Sequence, residues 1–243
     1  MNYKYFGNSL DLFKYDMLTE LIKKDGAELF YIPMVTTPEE RVNDPKYHKY
    51  EIGSDNKLLT DFLKNIHQDE AMREISEIHG YFEKVSLPYK TFKPYGYLHF
   101  DDEVRESYLA AALRKYKSRK EKQLVFFDPD VGLDIGISRR ARSFRKRYLL
   151  EEELLSFFTE LKDGDYIGSF QHLGNTLYKP EKRADDLKEV FGDWILLAGY
   201  SRIQVGLTFI FSNEHDYNDK RDQIKQYLSN YEHLEHSNKL LLI

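Results

Sequence analysis

Two carboxylates stand where an apolar run stops. In Gln123-Leu-Val-Phe-Phe-Asp-Pro-Asp-Val-Gly132 a stretch of strand character feeds Asp128, then Pro129, which has no N–H to continue a ladder, then Asp130 and the turn glycine Gly132. Later in the chain His172 follows a second apolar run, Asp165 to Gln171, and precedes Gly174. A carboxylate that activates water and a histidine that stabilises a developing anion suffice to hydrolyse an N-glycosidic bond, whose transition state has oxocarbenium character. Such chemistry needs neither a metal nor a glycine-rich loop, so no cofactor and no metal ligand are expected. Asp128, Asp130 and His172 are the candidate catalytic residues, with Asp128 preferred over Asp130 as the water-activating group. With a third acid, Asp128 and Asp130 would instead hold Mg²⁺ for phosphodiester cleavage, but no third acid is fixed by spacing. The plain alternative is that Asp128 caps a turn, Asp130 is solvated and His172 is a core or capping histidine.

Other polar residues fall at strand ends or on the leading helix. Met34 and Thr36, with Thr37, follow the first strand, Gln171 precedes His172, and Asn8, Asp11 and Lys14 lie on the first helix. These are candidate substrate contacts. Lys14 belongs to the surface unless Asp11 pairs with it across a helical turn near the site. The net charge of −5 opposes nonspecific attraction to polyanions, yet two basic runs bracket the opening stretch. One is Arg114-Lys-Tyr-Lys-Ser-Arg-Lys-Glu-Lys122, and the other, from Ser138 to Arg147, contains Arg139, Arg140 and Arg142. They would hold phosphates while some of the 19 Tyr and 16 Phe support an extruded base, which makes nucleic acid, DNA ahead of RNA, the expected partner. The plain alternative is a solvated helix end and a loop.

The elements that must position these residues follow from periodicity. Asn8 to Lys24 places Leu10, Phe13, Met17, Leu21 and neighbours at spacings of three and four, an amphipathic helix closed by Gly26. Glu28 to Met34 is a strand, and Leu58 to Ile66 and Ala71 to Ile78 are helices. Phe82 to Tyr95, with Pro88 and Pro94, is irregular, and Tyr97 to Phe100 is a short strand. Glu103 to Lys120 is a helix, followed by the Gln123 strand, the basic loop, a helix from Leu150 to Leu161 and the Asp165 strand. Pro180 starts a helix ending near Phe191. Trp194 to Tyr200 and Gly206 to Phe211 are joined too briefly for a crossover and must pair antiparallel. A last helix from Asn218 to Tyr231 and a terminal strand at Leu240 to Ile243 complete the chain.

Strands alternating with helices require parallel neighbours and right-handed crossovers. The expected fold is therefore α/β, a Rossmann-like doubly wound, mostly parallel sheet with helices on both faces and a C-terminal antiparallel hairpin. We read residues 1–243 as a single domain with a loop and helical insertion at 36–95. In such sheets ligands bind outside the carboxyl ends of the strands, where Asp128 and His172 stand. The chain has no cysteine, which removes disulfides and thiolate chemistry, and no run approaches the ~18 apolar residues of a membrane span. A cytoplasmic protein without a membrane partner is expected, while the oligomeric state stays open.

Three resemblances add to this reading. Gly7-Asn-Ser-Leu-Asp11-Leu-Phe-Lys14-Tyr-Asp-Met-Leu18 resembles the Gly-Asn-x-x-Asp-x-x-Lys-His-x-x-x-Leu opening of the ribosomal RNA adenine-N6 methyltransferases of the J type. Asp128-Pro129 then falls where those enzymes carry Asp-Pro-Pro-Tyr. The resemblance implies a Rossmann-like sheet ending in an antiparallel hairpin, and S-adenosylmethionine-dependent methylation of a nucleic-acid base. Two departures stand against that activity: Ile32-Pro-Met-Val-Thr-Thr-Pro38 lacks the glycine-rich turn that lets a backbone approach the cofactor, and Asp130 and Val131 replace the second proline and the aromatic. Asp128-Pro129, Gly132 and His172 are also similar to the Asp-Pro turn and histidine of uracil-type DNA glycosylases. Finally, Gly7 to Asp11, Ile32 to Met34, Phe126 to Gly132 and Gln171-His172 resemble uncharacterised bacterial proteins, which implies defence against foreign DNA. Base excision, base methylation and a catalytically inactive nucleic-acid-binding module are the functions that follow, in that order.

Overall fold

The computed structural model describes residues 6–7, 9–36, 52–68, 77–92, 103–134, 147–173, 180–200, 205–231 and 240–243. Around α1 (Ser9–Asp25) and β1 (Glu28–Pro33) come α2 (Lys57–Gln68), α3 (Ile78–Lys84), β2 (Tyr89–Thr91), α4 (Arg105–Lys117) and β3 (Gln123–Asp128). There follow β4 (Gly132–Asp134), β5 (Tyr148–Leu150), α5 (Glu151–Phe158), β6 (Tyr166–His172), α6 (Pro180–Phe191), β7 (Ile195–Tyr200), β8 (Val205–Phe211), α7 (Glu214–Ser229) and β9 (Leu240–Leu242).

The main sheet has seven strands in the order β2-β1-β3-β6-β8-β7-β9. β2, β1, β3 and β6 are parallel neighbours, whereas β8 runs against both β6 and β7, and β9 runs against β7. A mostly parallel α/β sheet is thus present. The register sets Pro33 of β1 beside Asp128 of β3, so the first strand ends level with the acid. β4 and β5 form a separate parallel pair, Gly132 opposite Tyr148.

Successive strand residues point to opposite sides of a sheet, and here both sides are apolar. Leu29, Tyr31, Leu124 and Phe126 join one hydrophobic cluster with Phe13 of α1, Leu59 of α2, Phe82 of α3 and Ile224 of α7. Phe30, Ile32, Val125 and Phe127 join another with Tyr108 of α4, Phe157 of α5 and Leu187 of α6. Each such fully buried side chain contributes about 1.5–3 kcal/mol relative to exposure. Continuous burial along β3, all six residues, explains why its sequence shows no polar alternation.

Several expectations need correction. α1 is not amphipathic in the expected sense, because Asp11 to Thr19 are all buried and, among its described side chains, only Lys23 and Lys24 are exposed. The stretch expected to be irregular from Phe82 holds the end of α3 and the strand β2. Pro88 precedes that strand at the sheet edge, where a missing N–H costs no ladder bond, and its carbonyl accepts from Leu29 N at 3.0 Å. α7 begins at Glu214 rather than Asn218, because Asn213 is its N-cap and its side chain accepts from Asp216 N at 2.9 Å. The expected strand at residues 97–100 and most of the helix expected at residues 71–78 lie outside the described residues. Among the described residues no helix is long and apolar enough to cross a membrane.

Candidate active site at the carboxyl edge of the sheet

Asp128 is the last residue of β3 and is 1% exposed. Its main-chain carbonyl accepts from Met34 N at 3.2 Å, which fixes the end of β1 against it. Its carboxylate Oδ2 accepts from Lys14 Nζ at 2.7 Å and from the Tyr31 hydroxyl. Tyr31 lies in β1 and its hydroxyl is 3.0 Å from that of Tyr15 in α1. Since the Tyr31 proton goes to Asp128, Tyr15 donates to Tyr31.

Lys14 is 1% exposed and bridges two acids, because its Nζ also lies 2.7 Å from Asp11 Oδ1. Asp11 in turn accepts from Gly7 N through Oδ2 at 2.8 Å. Gly7 has φ +89, and a Cβ there would sit 2.8 Å from the Leu63 carbonyl, so only glycine lets the turn before α1 deliver its N–H to Asp11. The Lys14 ammonium also lies 4.5 Å from the Tyr15 ring centroid and 5.6 Å from that of Phe170 in β6.

Electrostatics agree with the hydrogen bonds. Burial alone would push Lys14 down, but Asp11 and Asp128 outweigh it and hold the ammonium above its ordinary range. Burial pushes Asp11 up, Lys14 opposes that, and Asp128 adds to it. Burial, then the neighbouring carboxylates, drive Tyr15 and Tyr31 well above the usual phenol range, so both stay protonated donors.

The remaining predicted residues divide by place. Gln171 Oε1 accepts from Leu133 N at 3.0 Å and its Nε2 donates to the His172 carbonyl at 2.8 Å, so it fastens the turn after β3 to β6. Gly132, at φ +134, passes so close that a Cβ would meet the Gln171 amide at 2.7 Å. His172 donates its main-chain N–H to the Val131 carbonyl at 2.8 Å, and its ring stands edge-on to Phe170 at 5.1 Å between centroids. Asp130 pairs with Arg147 at 2.5 Å, separately from Asp128. Met34 is fully buried in the second hydrophobic cluster, and Thr36 is 4% exposed. Asn8, Thr37, Arg139, Arg140 and Arg142 lie outside the described residues.

The expectation that both basic runs flank the site does not hold for the first. Arg119 pairs with Glu28, Lys117 with Glu160 at 2.8 Å and Lys122 with Asp25 at 2.8 Å, all around the start of β3. Six strand residues, roughly 20 Å, separate that end from Asp128. Of the second run only Arg147 lies among the described residues, and its carbonyl accepts from Val131 N at 2.9 Å.

Among the described residues no group of three or more His, Asp or Glu is placed to hold a metal ion, and Asp128 and Asp130 belong to different ion pairs. S-adenosylmethionine needs a close backbone approach after the first strand, but Met34, Val35 and Thr36 carry side chains there and are buried at 0%, 7% and 4% exposure. Tyr31 and Tyr15 were not candidates in the sequence, and an aromatic in a buried strand gives no sign that its hydroxyl reaches a carboxylate.

No protein-family model matches the chain, and no curated protein matches it. Among solved structures, the crystal structure of protein LPL1258 from Legionella pneumophila, described as DUF519, superposes with a TM-score of 0.52. The two are 12% identical, over 98% of this chain and 96% of that one. This likeness shows a shared α/β fold, and neither the methyltransferase nor the glycosylase resemblance gains support from it.

Proposed function

We propose that this chain is a nucleic-acid-processing hydrolase that removes a modified base by cleaving its N-glycosidic bond. The scaffold we propose is Rossmann-like, with helices on both faces and β7 and β8 as its C-terminal hairpin. The observation that carries the reading is the clamped carboxylate. Two donors, Lys14 Nζ and the Tyr31 hydroxyl, fall on Asp128 Oδ2, and Oδ1 takes neither. One oxygen of the acid is thereby immobilised and the other is left to hold water, the arrangement expected of a base oriented by a third group. As the bond from the sugar to the base breaks, the carboxylate faces the positive charge that develops at the sugar and orients the attacking water. Arg147 and the basic run before it would take phosphates. The setting we propose, a cytoplasmic protein acting on foreign DNA, rests on the sequence resemblances alone.

Base methylation is favoured by a different observation. Lys14 joins Asp11 to Asp128, so the two stretches that resemble the J-type methyltransferases, far apart in sequence, are in direct contact. The buried side chains after β1 weigh against it.

One set of measurements separates the readings. Purified protein is incubated with modified and unmodified DNA, with and without EDTA, and the DNA is then heated in alkali. Alkali-dependent breaks that survive EDTA are the expected result. Breaks lost in EDTA indicate a metal nuclease, and micromolar binding of S-adenosylmethionine in calorimetry replaces hydrolysis with methyl transfer.

A further inference from the structure

We propose that the groove between α4 and α5 seats a second copy of this chain, which lays its own α4 there to form a two-fold dimer. The two helices run in the same direction. Arg105 and Glu153, in their first turns, pair with each other, and at the other end Lys117 pairs with Glu160, just past α5, while the Tyr116 hydroxyl donates to the Glu160 carbonyl. Between them lies a groove of about 610 Å³, walled by Leu109, Ala110, Leu113, Leu150 and Phe157, with Glu106 and Glu152 at its acidic end. Leu155 stands on α5 between the lining residues Glu152 and Ser156 and is 38% exposed, one of two large apolar side chains that are exposed among the described residues. An apolar face with a polar rim marks a docking surface.

The occupant follows from the charge pattern of α4. Its first turn carries Glu106, and its last turn carries Arg114, Lys115 and Lys117. Glu106, Ala110, Leu113 and Lys117 fall at spacings of three and four, which puts them on one stripe of the helix. That stripe complements itself when reversed. With a two-fold axis level with Ala111 and Ala112, Glu106 meets Lys117 of the second copy and Ala110 meets its Leu113. The same pairs recur on the other side of the axis, as an isologous interface requires. The small Ala110 lets the helix axes approach to about 8–10 Å. Reversal also brings the basic last turn of one α4 against the first turns of α4 and α5 in the other copy, where α5 carries Glu151, Glu152 and Glu153. Lys117 is able to join this interface, because its pair with Glu160 is 49% and 41% exposed and such pairs contribute little. A partner of uniform charge would be repelled at one end of α4, whereas a reversed copy is attracted at both. Helix α1, which carries Lys14, packs in the first hydrophobic cluster and α4 and α5 in the second, so the interface does not depend on the hydrolase site.

Sedimentation velocity on the full chain over a range of micromolar concentrations reads the association. The natural chain is expected to dimerise. Glu106→Lys and Lys117→Glu, both at exposed positions, set like charges against each other at both ends of the interface, and each weakens association by about 10–100-fold. An equimolar mixture of the two variants restores it, because each contact between copies then pairs a lysine with a glutamate. A natural chain that stays monomeric throughout overturns the inference and leaves the groove to another occupant. Variants that dimerise as tightly as the natural chain, or a mixture no tighter than its components, overturn it as well, since the copies then meet through another face or register.

Discussion

Replacing Lys14 with methionine isolates the electrostatics of the site. The side chain is 2% exposed and lies 2.7 Å from each of two carboxylates that are themselves 6% and 2% exposed. Methionine keeps the length and apolar stem but removes the ammonium that bridges Asp11 and Asp128. Removing one partner of a buried ion pair typically costs about 3–5 kcal/mol, because the remaining charge is left uncompensated. For a chain of this size that corresponds to a fall in Tm of roughly 6–20 °C. The pH dependence supplies the stricter check. The folded-state value of Lys14 is raised above 10.5, so its contribution is fully present below about that pH and is lost as pH rises through the folded value. Asp11 is raised above 3.8, so its contribution is present below that value and is lost as pH rises through its folded value. In Lys14→Met the alkaline limb disappears, and the deficit relative to the natural chain narrows as pH falls below about 7, because Asp11, already raised by burial and by Asp128, loses the cation that opposed its protonation. Urea denaturation across that range reads both effects. A loss below about 1 kcal/mol, the level of an exposed pair, or a deficit that is constant with pH, would refute the buried-cluster account.

Three further outcomes follow from the same geometry. Tyr31→Phe removes a hydroxyl donor from the Asp128 carboxylate, and we expect a stability loss of about 1.5–3 kcal/mol in urea unfolding together with slower base release. Gly132→Ala places a Cβ 2.7 Å from the Gln171 amide at φ +134, so the turn after β3 must shift, and a loss above about 1 kcal/mol with weakened DNA binding is expected in denaturation and gel-shift measurements. Asn213→Ala deletes the α7 cap and should cost about 1 kcal/mol in Tm-derived stability while base release is unchanged, which makes it the control for loss of stability without loss of the site.

Much of the scaffold was readable because its signals are local. The apolar run of β3 ended at Asp128 in the chain as in the sequence, Pro180 started α6, and the short connection after Tyr200 required β7 and β8 to run antiparallel, as they do. β2 and the end of α3 were lost beneath Pro88, since a proline reads as a breaker whether it stands inside a strand or just before one. The site was legible only in its acids. Asp11, Lys14 and Asp128 were named, but that Lys14 is buried between the two carboxylates depends on α1 being covered on nearly all sides, a tertiary fact that spacing does not carry. The contribution of Tyr31 was invisible for the same reason. Conversely, the basic run at Arg114 to Lys122 looked adjacent to the site because it is adjacent in sequence, whereas a strand carries the chain from one edge of the sheet to the other before reaching Asp128.

The central claim is that Asp128, held through Oδ2 by Lys14 and Tyr31, orients the water that replaces the base. Its most direct test is single-turnover base release by Asp128→Asn, with folding verified by urea denaturation. Loss of at least about 100-fold in rate, with DNA binding retained, is predicted. Release at the rate of the natural chain would contradict the claim and leave this edge of the sheet as a binding surface only.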